Sequence, residues 1–295
     1  MSGKRLTVLV IVLVLLGTGV FIATRARSPV TDAPLVVEPE PVRPQRSVIG
    51  HSVERRAIEV QTFGTGDQHI VFVGGIHGGY EWNSALLAYM LIDHLTENPS
   101  FVPENVTVSI VPSVNPDGLF KVIQKEGVFT RTDAPTEDDE TGLGRFNANN
   151  VDLNRNFDCK WQTESMWRGK TVSAGAAPFS EPEARALRDF LLAEHPRAVV
   201  FFHSKANAVY ASECEDGVLP ETRTLMRAYA DASGYLAVDS FDAYEVTGDA
   251  EGWLASIGIP SITVELTTHE TIEWEKNVAG IEALFTYYTN KALVK

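Results

Sequence analysis

Apolar positions along this chain follow two different regimes. From Val48 onward, four short runs rich in β-branched residues, His69–Ile76, Val106–Val114, Ala198–Phe202 and Ser261–Leu266, are apolar without strict alternation, which predicts strands buried on both faces. Between them the apolar spacing lengthens to that of helices. Trp82–Leu95 carries an apolar stripe, and Ser180 followed by Glu183 has the form of a capping box that opens a helix running to His195. Further helices are predicted over Glu221–Ser233, Ala250–Ser256 and Glu273–Leu293. Strands alternating with helices predict an α/β fold with a mixed, mainly parallel central sheet and helices on both faces. No internal repeat and no second linker interrupts residues 48–295, so that span is read as one domain.

The N-terminal regime differs. Leu6–Thr24 is uncharged and apolar all round over 19 residues, about the length a helix needs to cross a hydrocarbon core of roughly 30 Å. It has no polar face and is poorly suited to packing as a core helix. Residues 1–27 are therefore read as one N-terminal transmembrane helix, an uncleaved membrane anchor or else a removed signal segment. Its short N-terminus favours Met1 inside and the remainder exported, so the domain is expected outside the cytoplasm, anchored on the lipid bilayer or secreted. Residues 28–47 hold Pro29, Pro34, Pro39, Pro41 and Pro44 among charged residues and read as an extended spacer.

Composition narrows the partners. The net charge is −14, although Lys4, Arg5, Arg25 and Arg27 make the first 27 residues basic, so the rest is more acidic still and nucleic acid is excluded as a partner. Cys159 and Cys214 are the two cysteines. An exported location permits a disulfide between them, and two separate thiols remain the alternative.

Candidate chemistry stands at the strand ends, where ligands bind in open α/β sheets. The first buried run leads into Gly74-Gly75-Ile76-His77-Gly78-Gly79-Tyr80-Glu81, the second into Asn115-Pro116-Asp117-Gly118, the third into His203-Ser204, and the fourth carries Glu265. A hydrolytic zinc site takes three ligands from histidine and carboxylate and keeps a position open for water. His77, Glu81 and His203 would supply that set. Glu265 on a central strand would be either a general base raised toward neutrality by burial or an ion-pair partner of an arginine.

These residues fall in motifs that identify a resemblance. Gly-Gly-Ile-His-Gly-Gly-Tyr-Glu from Gly74, Asn-Pro-Asp-Gly from Asn115, Val-Asp-Leu-Asn-Arg-Asn-Phe from Val151, Phe-His-Ser from Phe202 and Val-Glu-Leu from Val264 occur in this order. The set resembles the zinc carboxypeptidase family, which includes carboxypeptidase A and the bacterial murein-peptide amidases, over nearly all of Val48 to Lys295. The resemblance implies that His77, Glu81 and His203 bind one zinc ion and that Glu265 activates water. It implies that Asn154 and Arg155 clamp a terminal carboxylate, a task suited to a forked guanidinium. Arg145, seven positions before Asp152, would hold the developing oxyanion, with Arg131 as a rival. Tyr244, which is 21 positions before Glu265, would close over the substrate, or else be a structural tyrosine. Asn115–Gly118 is expected to be a turn that brace the site without taking part in the chemistry.

One departure bears on the metal. The usual first motif places two residues between histidine and glutamate, whereas Gly78, Gly79 and Tyr80 separate His77 from Glu81. A one-residue bulge that leaves Glu81 as a ligand is expected. Asp249 and Glu251 would form an acidic pocket for a basic or amino-bearing residue, or a solvated loop; Glu137–Glu140 reads as a solvated acidic loop. The expected activity is that of a zinc metallocarboxypeptidase on peptides. The alternatives are an amidase or endopeptidase acting on peptidoglycan-stem peptides that contain diaminopimelate, and an inactive membrane-tethered binding protein. Retention of Glu265, Arg145 and Arg155 argues against the last.

Overall fold

In the computed structural model, residues 44–135, 142–241 and 245–293 are described. The expected anchor, most of the proline-rich spacer, the acidic run Glu137–Glu140 and Tyr244 lie outside the described residues. Among those described, no helix is long and apolar enough to cross a membrane.

The buried runs become the centre of one sheet. Strands β1 (Gln45–His51), β2 (Ala57–Gly64), β3 (Gln68–Val73) and β4 (Val106–Val111) are followed by a hairpin of β5 (Glu164–Trp167) and β6 (Lys170–Ser173). Then come β7 (Ala198–Ser204), β8 (Ala208–Ala211), a two-residue pair β9 (Glu213–Cys214) and β10 (Gly217–Val218), β11 (Leu236–Val238) and β12 (Ser261–Leu266). The main sheet has eight strands in the order β1-β2-β4-β3-β7-β12-β8-β11. Its central four, β4-β3-β7-β12, are parallel, while β1-β2, β2-β4 and β12-β8 are antiparallel. β1 starts at Gln45, so the last three residues of the segment read as a spacer belong to the sheet.

Alternation along the parallel strands divides the core in two. Ile70, Phe72, Val200, Phe202, Ile262 and Val264 face α1 (Trp82–Glu97), α4 (Pro220–Ser233) and α6 (Trp274–Leu293). Val71, Val73, Val199 and Phe201 face α3 (Pro182–Glu194) and α5 (Ala250–Ser256). Helices thus cover both faces, and each fully buried Leu, Ile or Phe contributes about 1.5–3 kcal/mol of transfer free energy.

Two local expectations are corrected. The capping box does not form: α3 starts at Pro182 after Glu181, with no side-chain cap. Ser180 Oγ instead donates to Glu181, and Glu183 is drawn into the interior by Asn147 Nδ2 (3.1 Å) and the Val53 amide (3.0 Å). Asn115–Gly118, expected as a turn that braces the site, is the start of a short helix, α2 (Pro116–Ile123), with Asn115 Oδ1 accepting from the Gly118 amide at 2.8 Å.

Cys159 and Cys214 form a disulfide that ties the loop after Arg155 to β9 and closes a sequence separation of 55 residues. By loop-entropy reasoning such a cross-link stabilises by roughly 4 kcal/mol at most. Replacing both cysteines with serine is expected to lower the unfolding free energy by about 2–4 kcal/mol, measured by denaturant unfolding; an unchanged midpoint would show that the pair carries no such constraint.

Candidate active site

Strand register assembles the site. β7 and β12 are parallel neighbours in which Glu265 pairs with His203 and Leu266 with Ser204, so both functional side chains leave the sheet at one level of its carboxyl edge. His77 arrives from the loop after β3. There the chain turns at Gly78, whose φ is +47° and where an added Cβ would lie 2.5 Å from the Gly144 carbonyl oxygen. No side chain fits at that position. Gly78–Glu81 winds into a single 3-10 turn that runs directly into α1. The three residues between His77 and Glu81 are accommodated in this turn, and Glu81 faces both histidines.

His77, Glu81 and His203 each offer one ligand atom within 4.8 Å of one another, and all three are buried. His203 Nδ1 lies 3.0 Å from Glu81 Oε2, and His77 Nε2 lies 4.0 Å from Glu81 Oε1. The outer nitrogens have carboxylate neighbours: His77 Nδ1 is 3.5 Å from Asp152 Oδ1, and His203 Nε2 is 3.0 Å from Glu251 Oε1. Two imidazoles and a carboxylate on one side of the cavity are the donor set of a catalytic zinc site. Buried His77 Nδ1 makes no hydrogen bond, so its ring is not committed to a purely structural role. Burial, aided by Arg145 and His203, holds His77 well below its usual pKa. For His203, burial pulls the pKa down, yet Glu81 and Glu251 hold it well above the ordinary histidine value. A cation would therefore displace a proton as it binds.

Asp152 is the residue that the sequence reading left without a role. Fully buried, it accepts from Arg145 Nε (3.0 Å) and Nη2 (2.8 Å) through Oδ2 while Oδ1 faces His77. This uses one edge of the guanidinium and leaves Arg145 Nη1 3.6 Å from Glu81 Oε1, beside the metal group. Asn115 Nδ2 donates to the Arg145 carbonyl at 3.1 Å, so the Asn-Pro-Asp-Gly segment braces this arginine. Arg131 is elsewhere: it is exposed, it stacks on Trp82 at 4.9 Å, and it does not line the cavity.

One cavity of about 610 Å³ joins these parts and is lined by His77, Glu81, His203, Arg145, Arg155 and Glu265 among others. Arg155 donates from Nη1 to the Asn154 carbonyl at 2.6 Å, and its shielded Nε has no hydrogen-bond partner. Asn154 Oδ1 accepts from the Ala250 amide at 2.9 Å, so its oxygen serves the start of α5 rather than a ligand. Gly248, with φ +70°, packs against the Arg155 carbonyl and holds this loop to the start of α5. Glu265 Oε2 is shielded and unpartnered, and burial, reinforced by Glu81, pushes its carboxyl up to about 8. Asp249 is pushed up to about 6 by burial and then by Glu251. Glu251, expected as a substrate contact, is 4% exposed and bonded to His203, so it is more deeply placed than a simple pocket acid.

Tyr80, Trp167 and His269 also line the cavity and were not anticipated. Tyr80 packs on His269 at 4.5 Å and edge-on to Trp167 at 5.2 Å, while Ser204 Oγ lies 2.8 Å from His269 Nδ1. Asp152 was detectable, because a ligand histidine commonly needs a carboxylate on its outer nitrogen. Trp167 was not, since it reaches the site on a hairpin distant in sequence.

Comparison with known proteins agrees with this geometry. The sequence profile described as zinc carboxypeptidase matches residues 36–291. The chain is 29% identical over 244 residues to gamma-D-glutamyl-L-diamino acid endopeptidase 1 of Lysinibacillus sphaericus, covering 75% of this chain and 60% of that protein. It is 27% identical over 250 residues to carboxypeptidase B of Helicoverpa zea, covering 76% of this chain and 57% of that one. It thus spans less than two thirds of the length of either relative. Among solved structures, bovine thrombin-activatable fibrinolysis inhibitor in complex with tick carboxypeptidase inhibitor matches with a TM-score of 0.67 at 21% identity, covering 85% of this chain and 92% of that chain, a likeness of fold. The chain belongs to the zinc carboxypeptidase family, whose members use one zinc ion. The fit of His77, Glu81 and His203 to that ion predicts one zinc per purified chain, read by elemental mass spectrometry. Glu81→Ala is expected to lose stoichiometric metal; full retention would remove Glu81 from the ligand set.

Proposed function

We propose that this protein is a zinc metallopeptidase that hydrolyses the amide bond next to a free C-terminal carboxylate. The observation that carries this reading is the convergence in one cavity of a metal-competent His77–Glu81–His203 group, a Glu265 carboxylate with one unpartnered oxygen and an Arg155 guanidinium with an unpartnered Nε.

Zinc, when bound, supplies Lewis acidity for carbonyl polarisation and water activation. Arg155 receives the substrate's terminal carboxylate, where charge-assisted hydrogen bonds are strongest. Arg145, already oriented by Asp152, directs Nη1 at the oxygen on which negative charge develops. Glu265 takes a proton from the attacking water at its exposed-to-cavity carboxyl and returns it to the leaving amine. A carboxyl raised to about 8 in the ion-free protein would be drawn down by a cation facing it, which keeps the base ionised near neutral pH. Asn154 acts mainly by holding α5, and Tyr244 is assigned to closure over the substrate; its successors Glu245 and Val246 line the cavity.

A second reading is favoured by specific observations. Asp249 and Glu251 line the cavity, and the Lysinibacillus relative is by name a diamino acid endopeptidase. An amino-bearing residue, as in wall peptides that contain a diamino acid, would suit those acids. The Leu6–Thr24 segment is assigned to anchoring the domain on the lipid bilayer, with the domain outside the cytoplasm. The Cys159–Cys214 bridge supports an oxidising compartment.

The test pairs wild type with Glu265→Gln on three substrates: a peptide with a free C-terminus, its C-terminal amide, and muropeptides carrying a diamino acid. Product masses identify the bond cut. Wild type is expected to prefer the free acid to the amide by about 10–100-fold, the worth of hydrogen bonds to a charged group. Glu265→Gln should lose about 10²–10⁴-fold in turnover with zinc retained. Full activity of the variant would remove Glu265 as the base, and equal cleavage of acid and amide would remove the carboxylate clamp. Cleavage of the muropeptide alone would favour the second reading.

A further inference from the structure

Glu251 sits between the metal group and the wall of the substrate cavity, and its two oxygens have different surroundings. Oε1 is 3.0 Å from His203 Nε2 and 3.3 Å from Thr263 Oγ1, which donates to it. Oε2 is buried and makes no hydrogen bond. The residue enters from the first turn of α5, whose start is fixed by Asp249 Oδ2 accepting from Gly252 N at 2.7 Å and by Asn154 Oδ1 accepting from Ala250 N at 2.9 Å. Glu251 is therefore delivered by a backbone with little freedom. His203 has its other nitrogen, Nδ1, directed at Glu81.

We infer that Glu251 is a positioning residue for the metal centre: its Oε1 accepts from the Nε2–H of His203 and so sets that ring's tautomer and orientation for binding through Nδ1. The inference rests on His203 being a metal ligand, as in the reading above. A ring held in one tautomer by an outer carboxylate is a better donor, because no rotamer or proton has to be reorganised when the ion arrives. His77 has Asp152 in the equivalent place at 3.5 Å. Asp152 stands beside His77 Nδ1 without a hydrogen bond, so of the two acids Glu251 is the one that holds its histidine directly. Asp152 is tied to Arg145 and is not available to a ligand, whereas Glu251 lines the cavity. Glu251 would then serve metal retention in two ways, through the hydrogen bond to Nε2–H and through the negative charge behind it.

Two substitutions separate these roles. Glu251→Gln keeps an amide oxygen able to accept from Nε2–H but removes the negative charge, whereas Glu251→Ala removes both. Zinc affinity is measured by competition with a chromophoric chelator, and the cobalt-substituted protein is read by its visible absorption spectrum. Glu251→Ala is expected to bind zinc about 10–100-fold more weakly and to change the cobalt spectrum. Glu251→Gln should recover most of the affinity, because its amide oxygen still accepts from Nε2–H. Should the alanine variant fail to fold, Glu251→Asp carries the test alone, since its shorter arm withdraws the carboxylate from Nε2: weakened zinc binding supports the inference and unchanged binding overturns it. Wild-type zinc affinity and spectrum in Glu251→Ala would overturn it while leaving the peptidase reading intact. A wild-type protein that binds no zinc would instead remove the reading on which it rests.

Discussion

Charge balance inside a cavity that water reaches only in part is the constraint on which this structure depends. Glu81, Asp152, Asp249, Glu251 and Glu265 line or underlie one space, and the guanidinium groups set closest to the metal group and to Asp152 are those of Arg145 and, in the same cavity lining, Arg155, with Arg168, Lys160 and Lys205 also in that lining. A carboxylate buried beside other acids is costly, and the molecule shows the cost as a Glu265 carboxyl pushed up to about 8 and an Asp249 carboxyl pushed up to about 6. Buried polar groups of an ordinary core are paired. Here His77 Nδ1, Arg155 Nε, Glu251 Oε2 and Glu265 Oε2 are left without hydrogen bonds. A divalent cation held by His77, Glu81 and His203 would meet the negative charge that Glu81 and Glu265 place beside one another.

The fold supplies the geometry at little cost because the polar side chains emerge where the sheet ends. Parallel strands β3, β7 and β12 are largely apolar at their centres and share one carboxyl edge, so a single register relation puts Glu265 beside His203. Rigidity comes from the loops. Asn115 caps α2 and grips the Arg145 carbonyl, Gly248 packs on Arg155, and the Cys159–Cys214 bridge fastens the loop between them to β9. Each support acts on a residue that lines the cavity or on its immediate chain neighbour.

The parts of the fold legible in the sequence were those governed by one rule applied over several residues. The buried strands announce themselves by unbroken β-branched runs, and Ser261–Leu266 and Ala250–Ser256 have the expected bounds. The expected strands His69–Ile76 and Val106–Val114 end earlier, at Val73 and Val111, because Gly74 and Pro112 begin the turns into the site. β1, β2, β8 and β11 were not read. β1 is mostly exposed, β11 has three residues and β8 has four, whereas β2 has eight and buries Ile58, Val60 and Phe63, with an alternation that breaks after Val60 and so stands out less than the continuous runs. At the site, the motifs located the metal group, Arg145 and Arg155, because the residue types are constrained by their chemistry. Glu251 was read as a pocket acid, since nothing in a linear sequence shows that an acid on the first turn of a helix will meet the back of a histidine 48 residues away.

The central claim is that two imidazoles and one carboxylate from three separate elements hold a single zinc ion. X-ray absorption at the zinc edge of the stoichiometrically loaded protein tests it most directly. The account predicts two imidazole nitrogens with carboxylate and water oxygens, all at about 2.0–2.2 Å. Loss of one imidazole contribution in His203→Ala would assign that nitrogen. A first coordination sphere that contains sulfur, or one made of oxygen alone, would contradict the account.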